Sequence, residues 1–287
     1  MGEESTMDAA KMDAAKAQPT RRVQLHVEDT GGSGRPVVLI HGWPLSSESW
    51  AAQVPALRDA GFRIIAYDRR GFGRSEKPED GYDYDTLAND LAGLVVDLDL
   101  RDAVLVGFSM GGGEVARYVS LHGQDRLGGV VFAAAVTPCL MKSPDNPHGP
   151  LTSGKAEEKT AGLKADRHAY FDEFTRNFFS VDGALQVDES QRQSAIGLCL
   201  QSNQVAALGC MHAFSTTDFR DDLTRISVPA LVLHGDADAI VPFEGSGALT
   251  HAAIEHSELH VLKHAPHGCN ISHAEAFNSA LLGFLRG

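Results

Sequence analysis

The stretch Gly107-Phe108-Ser109-Met110-Gly111, GFSMG, joins an apolar run, AVLV at 103–106, to a helix-like one, GGEVARYVS at 112–120. A serine between glycines at such a junction has two readings: a tight turn with a bystander hydroxyl, or a nucleophile held where a substrate can reach it. A chain that turns sharply from strand to helix leaves no room for a Cβ beside the serine, and the strain of the turn presents the hydroxyl. The helix that follows aims its first amides and its positive dipole end at any anion formed next to Ser109.

Working outward, further runs are apolar throughout rather than alternating: PVVLIH at 36–41, FRIIAY at 62–67, GGVVFAAA at 128–135, ALVLHG at 230–235 and ELHVLK at 258–263. Amphipathic helices lie between them, clearest in Leu87, Leu91, Leu94, Val95 and Leu98, which share one face at three- and four-residue spacing. Strands apolar on both faces and separated by helices predict an α/β fold, a mostly parallel sheet covered on both sides. The alternation fails over 138–225, which opens on TPCLMKSPDNPHGP and continues through YFDEFTRNFF and SAIGLCLQSNQVAALGCMHAF. We expect a helical cap there, inserted after a strand end, between core segments 23–137 and 226–287. Residues 1–22 contain MDAAK twice and no apolar face, and read as a flexible leader.

A serine hydroxyl is a weak nucleophile at neutral pH; it needs a base, and the base needs an orienting acid. After ALVLHG comes DADAIVP, in which Asp238 sits past the strand end, while Asp236, closer to the strand, suits a turn. After the last strand-like run, His267 lies in HAPHGCN between a proline and a glycine; His264 is its rival. His264-x-x-His267 also has a metal-like spacing, but no nearby acid or shared helix completes a ligand set. Ser109, Asp238 and His267 thus each fall on a loop at a strand's carboxyl end. The oxyanion made by serine attack needs two preorganised donors. We expect the Met110 N–H, next after the serine, and the Trp43 N–H from the HGWP loop, although HGWP alone is equally a turn with a packed tryptophan.

With 287 residues and 43% hydrophobic content the chain suits one large core domain. A formal charge of -13 argues against nucleic acid or an anionic membrane as partner. No apolar run is long enough for a membrane helix and the amino terminus has no signal-peptide core, so a cytoplasmic location is expected. Cys139, Cys199, Cys210 and Cys269 form no Cys-x-x-Cys pair and read as buried thiols. GGSG at Gly31 lacks the Lys-Ser/Thr of a phosphate loop, and GFGRSE lacks dinucleotide-loop spacing. No cofactor and no metal are expected.

Taken together, VVLIHGWPLSSESW, AYDRRGFGRSEKP, GFSMGGGEVARYVS, TTDFRDDL, LHGDADAIVPFE and PHGCN resemble the α/β-hydrolase family of cofactor-free haloperoxidases, aryl esterases with perhydrolase activity, and γ-lactamases. The resemblance runs from about Val23 to the carboxyl end. It implies the α/β-hydrolase fold, Ser109 as nucleophile with Asp238 and His267, and the Trp43 and Met110 amides as oxyanion hole. It further implies a small ester as substrate, with lactam cleavage as the alternative, hydrogen peroxide as an alternative to water favoured by Pro44, and a homo-oligomer. A role as a peroxide-dependent oxidoreductase, or as a binder of small ligands on the same fold, is the rival outcome. The halide-cleaving and epoxide-opening relatives of this fold use an aspartate where Ser109 stands. Trp43, Pro44, Phe108 and Leu140 are expected to line a pocket for a compact acyl group. Phe171, Phe174, Phe178, Phe179, Met211 and Phe214, at helical spacing in the cap, suit core more than pocket.

Overall fold

A computed structural model describes residues 22–287, so the leader expected at 1–22 lies, but for Arg22, outside the described residues. The strands are β1 (Val27–Asp29), β2 (Pro36–Ile40), β3 (Arg63–Tyr67), β4 (Ala103–Phe108), β5 (Leu127–Ala133), β6 (Ser180–Val181), β7 (Ala184–Leu185), β8 (Ala230–Gly235) and β9 (Glu258–Leu262). Seven of them form one sheet in the order β1-β3-β2-β4-β5-β8-β9, while β6 and β7 make a separate hairpin. Every pairing in the large sheet is parallel except that of β1 with β3. Each of these runs became a parallel strand; central β4 is buried at every position, as burial of both faces requires, whereas ELHVLK became the edge strand β9, exposed over Glu258, Leu259 and His260. The Val-Glu-Asp of β1 carries no apolar run, and its strand character comes from pairing on the edge of β3, Val27 opposite Tyr67.

The helices are α1 (Gln53–Asp59), α2 (Tyr84–Asp97), α3 (Met110–His122), α4 (Ser153–Ala165), α5 (Arg167–Phe179), α6 (Glu189–Gln201), α7 (Gln204–Thr216), α8 (Arg220–Leu223), α9 (Gly247–Ala253), α10 (Cys269–Ser272) and α11 (Ala274–Arg286). Helix α2 buries Leu87, Leu91, Leu94 and Val95 of the expected stripe, while Leu98, the fifth, caps the helix end and is half-buried. Strand order fixes where a ligand can sit. From β2 the chain steps outward to β3, then returns to place β4 on the other side of β2. The crevice at the carboxyl ends of β2 and β4 is therefore a topological switch point, where open α/β sheets bind ligands. His41, Gly42 and Trp43 follow β2, and Ser109 follows β4.

Between β5 and β8 the chain inserts α4 to α7 and the β6-β7 hairpin. The four helices start where the sequence supplies a capping side chain. Thr152, Asp166, Asp188 and Asn203 accept from the N–H of Lys155, Ala169, Gln191 and Ala206 respectively, and Asp188 with Gln191 completes a capping box. Asn203 also explains why SAIGLCLQSNQVAALGCMHAF is two helices and not one. All four cysteines are buried and unpaired. Among the described residues no helix is long and apolar enough to cross a membrane.

Candidate active site

Ser109 sits at the turn from β4 into α3 with φ 54° and ψ -117°, a conformation that a non-glycine residue holds only under constraint. The constraint is visible. The Ser109 N–H donates to Ala133 O (2.8 Å), and Ser109 O accepts from the N–H of Gly112 (3.0 Å) and Val136 (3.2 Å). The glycines on either side are obligatory, since a Cβ on Gly107 would lie 2.4 Å from Gly111 O and one on Gly111 2.5 Å from Ile40 O. Met110, the next residue, is the first of α3, so its N–H is one of the amides at the helix start that lack an intrahelical partner.

Ser109 Oγ lies 2.9 Å from His267 Nε2, and His267 Nδ1 lies 2.6 Å from Asp238 Oδ2. All three side chains are buried. Burial alone would raise the Asp238 pKa, but His267 beside it and hydrogen bonds from His234 and His267 override that and hold the carboxyl well below the usual range. An ionised Asp238 accepts a hydrogen bond from His267 Nδ1–H, which keeps the proton on Nδ1 and leaves Nε2 free to accept from the serine hydroxyl. The other carboxylate oxygen of Asp238 accepts from the N–H of Ile240 (2.9 Å) and Val241 (2.8 Å). Asp236 does different work: it accepts from the N–H of His264 (2.6 Å) and faces Lys263 (3.3 Å), closing the turn after β9. His264 is exposed and makes no contact with Asp238. Among the described residues no group of three or more His, Cys, Asp or Glu side chains is placed to hold a metal ion.

The histidine is held from three sides. Phe108 and Phe178 pack on its ring, with centroids 5.4 and 5.2 Å away. Gly268 N–H donates to Phe178 O at the end of α5 (2.8 Å), and Asn270 Nδ2 donates to Ser49 O (3.0 Å). His234, on β8, adds a second imidazole to the acid: its Nε2 is 2.9 Å from Val241 O and 3.2 Å from Asp238 Oδ2. His234 escaped the sequence reading because it lies inside an apolar strand run, where a polar side chain signals only that it must have a partner.

A buried charge network, also missed, lies behind the loop after β2. Arg69 forms an ion pair with Glu114 of α3, both fully buried, and Tyr67 Oη donates to the same carboxylate (2.9 Å). The Arg69 guanidinium donates to His41 O (2.6 Å), and its backbone N–H donates to His41 Nε2 (2.9 Å). Burial first, then Arg69, pushes the His41 pKa down to about 3, so this imidazole is neutral at pH 7. One guanidinium thus ties the loop after β2 to the helix after the serine. The signal was present in YDRRG and in Glu114, five residues after the serine, charged residues set among apolar ones, but pairing across 45 positions is not readable from either alone.

That loop meets the serine at Gly42, where a Cβ would sit 2.9 Å from Phe108 Cδ1 and 3.1 Å from Ser109 Cβ. Only glycine allows the approach, and it brings the next residue, Trp43, to the crevice. The indole Nε1 donates to Ala207 O of α7 (2.9 Å), and the ring meets Tyr170, Phe171, Phe174 and Phe214 edge-on at 5.3 to 6.3 Å. A cavity of about 580 Å³ opens above Ser109 and His267. Trp43 and Leu140 line it; Phe108 and Pro44, expected there, do not. Phe108 ends β4 and its ring turns behind the imidazole against Trp50, so adjacency in sequence to Ser109 puts it under the site and not in it. Pro44 is buried within the same loop. Of the insert residues, Phe171, Phe178, Phe179 and Met211 are core, whereas Phe174 and Phe214 reach the cavity.

The order in which the chain delivers these three side chains, on this sheet, is that of the α/β hydrolases, and the chain belongs to that family, whose fold model matches residues 35–274. Among solved structures it is similar to a bromoperoxidase from Bacillus anthracis, 52% identical with a TM-score of 0.90, covering 92% of this chain and 96% of that one. It is 40% identical over 257 residues to the non-heme chloroperoxidase CPO-A1 of Kitasatospora aureofaciens, covering 88% of this chain and 93% of the relative. It is also 37% identical over 268 residues to the bifunctional esterase/perhydrolase DCH of Acinetobacter calcoaceticus, covering 92% of this chain and 96% of that protein.

Proposed function

We propose that the protein is a serine hydrolase that cleaves small carboxylic esters through an acyl-Ser109 intermediate, and that the intermediate is open to hydrogen peroxide as well as to water. The observation that carries this reading is the unbroken relay at the cavity floor, Ser109 Oγ to His267 Nε2 at 2.9 Å and His267 Nδ1 to Asp238 Oδ2 at 2.6 Å. His267 Nε2 takes the hydroxyl proton as Oγ bonds to the ester carbonyl carbon. The carbonyl oxygen becomes an oxyanion, facing the N–H groups of Met110 and Trp43, and Asp238 balances the imidazolium. Collapse expels the alkoxide, which takes the proton from His267 and leaves as alcohol. Water then attacks the acyl carbon, giving its proton to His267, and a second collapse frees the carboxylic acid and restores Ser109 Oγ–H.

Hydrogen peroxide in place of water yields a peracid by the same steps. A peracid passes an oxygen to halide, giving hypohalite and the carboxylic acid, so halogenation follows without any redox group on the protein. The non-heme chloroperoxidase and esterase/perhydrolase relatives support this branch, and in it Pro44 is the residue expected to favour peroxide. A strained lactam is a second substrate class open to the same attack. The residues at 138–225 act in this reading as a cap over the site, and a small-molecule ester is its partner. The likeness to its relatives makes a homo-oligomer part of the same proposal.

The test is p-nitrophenyl acetate with and without hydrogen peroxide, following p-nitrophenol and peracid together, with Ser109→Ala alongside. Turnover abolished by Ser109→Ala supports the acyl-serine, and the peracid fraction reads the share taken by peroxide. Turnover that survives the substitution refutes the assigned nucleophile.

A further inference from the structure

The cavity has two unlike walls. Around Ser109 it is apolar, with Trp43, Val136, Leu140, Ile240 and Val241. A second part of the lining comes from the insert helices α4 and α5, and on the first its spacing is regular: α4 contributes Lys155, Glu158, Lys159 and Gly162, a single i, i+3, i+4, i+7 face. On that face the charges are unevenly matched. Lys155 Nζ pairs with both oxygens of Glu158, at 2.9 and 3.0 Å. Lys159 is half-buried and lines the cavity, and its Nζ takes part in no hydrogen bond or ion pair among the described residues. Burial, and then repulsion from Lys155, lower its pKa. A desolvated ammonium whose neighbouring carboxylate is already engaged is an incomplete pair, and an anionic group on a bound ligand completes it. On the α5 side the cavity carries one further acid, Glu173, which is exposed and more than 4.0 Å from any lysine nitrogen.

We propose that Lys159 is a specificity-determining residue that receives a carboxylate at the end of the substrate remote from the scissile carbonyl, so that the preferred esters are half-esters of dicarboxylic acids. The inference rests on the acyl-Ser109 reading and deepens it. Volume agrees, since about 580 Å³ far exceeds what an acetyl group occupies and falls within the range of sites that enclose a whole small ligand. The apolar wall at the serine takes the methylene chain, and the polar wall takes the charge.

The test compares p-nitrophenyl hydrogen glutarate and adipate with their neutral methyl esters, subtracting uncatalysed release, in wild type, Lys159→Gln, Lys159→Arg and Lys159→Glu. The readout is the ratio of kcat/KM for the anionic ester to that for its neutral twin. It should fall about tenfold in Lys159→Gln, a magnitude set by one charge-assisted contact at a partly solvated site, fall further in Lys159→Glu, and be kept in Lys159→Arg. Ratios that agree within twofold across the four proteins, at both chain lengths, overturn the assignment. A second measurement needs no turnover: binding of methyl hydrogen adipate and dimethyl adipate to Ser109→Ala, followed by the fluorescence of Trp43 at the cavity wall. Lys159→Gln in that background should weaken only the anion, and equal weakening of both or of neither overturns the proposal. Loss of the acyl-serine reading shows elsewhere, as p-nitrophenol release from the neutral esters that persists in Ser109→Ala.

Discussion

Gly42→Ala is the smallest change that tests whether the loop after β2 is held against the serine for catalysis. The backbone at Gly42 does not lie in the left-handed region, so alanine is conformationally acceptable and the effect must come from contact. The new Cβ would stand 2.9 Å from Phe108 Cδ1 and 3.1 Å from Ser109 Cβ. Carbon atoms in contact settle at ~3.5 to 4.0 Å, so about 0.5 to 1 Å must be found at each contact. Phe108 cannot give way freely. Its ring is held by Trp50, Phe178 and His267 at centroid distances of 6.0, 6.3 and 5.4 Å, so a shift of Phe108 is passed to the imidazole. If the loop recoils instead, the Trp43 N–H proposed as an oxyanion donor is drawn away from Ser109.

Either route misplaces a reacting group by a large part of an ångström. We expect kcat for p-nitrophenyl acetate to fall about 30- to 300-fold, with KM changed less than about threefold, because the donor and base matter most in the transition state. The fold should survive, with an overpacking cost of about 1 to 3 kcal/mol seen as a lower urea midpoint. Full kcat in Gly42→Ala, with the protein folded, would refute the argument that this contact positions the oxyanion loop and the base.

The two candidate acids separate by substitution: Asp238→Asn should lower kcat by about 10³-fold or more, since an amide neither fixes the His267 tautomer nor balances its charge, whereas Asp236→Asn should stay within about threefold. The reverse order, measured on the same ester, would move the acid. Glu114→Gln leaves the buried Arg69 charge without its partner and should cost about 3 to 5 kcal/mol in urea unfolding, against a smaller loss for the double change Arg69→Met with Glu114→Leu. A cost below about 1 kcal/mol for the single change would show that Arg69 has another counter-charge. For pH, His41 has a folded pKa of about 3 against an ordinary 6.5, so between these values the unfolded chain binds a proton that the folded one refuses. Stability contributed by neutral His41 is full above about 6.5 and is lost as pH falls; at pH 5 the loss is about 2 kcal/mol. Urea midpoints at pH 7 and pH 5 should show that drop in wild type and a flatter response in His41→Asn, and parallel slopes would exclude His41 as the source.

Strands and the relay were legible because each rests on local rules. An apolar run that alternates with nothing must be covered on both faces, and a strained serine turn needs small neighbours within two residues. Asp236 and Asp238 were separable because a carboxylate next to a strand end finds turn amides first, as Asp236 does with His264. The misplacement of Phe108 has an equally local cause: a residue adjacent to Ser109 in sequence shares its turn, but its side chain leaves the strand on the other face and packs against Trp50. What stayed hidden is non-local. Arg69 meets Glu114 only because β3 and α3 flank β2 and β4, and Lys159 reaches the cavity only because α4 turns one face toward Ser109. These are the charges whose placement depends on the whole fold, and they divide the work accordingly. The pair sealed behind the loop after β2, Arg69 with Glu114, stands where no ligand charge can compete, and fixes geometry. The Lys159 ammonium lines the cavity with no hydrogen bond or ion pair to its Nζ among the described residues, stands where a ligand can reach it, and in the proposal above selects among substrates.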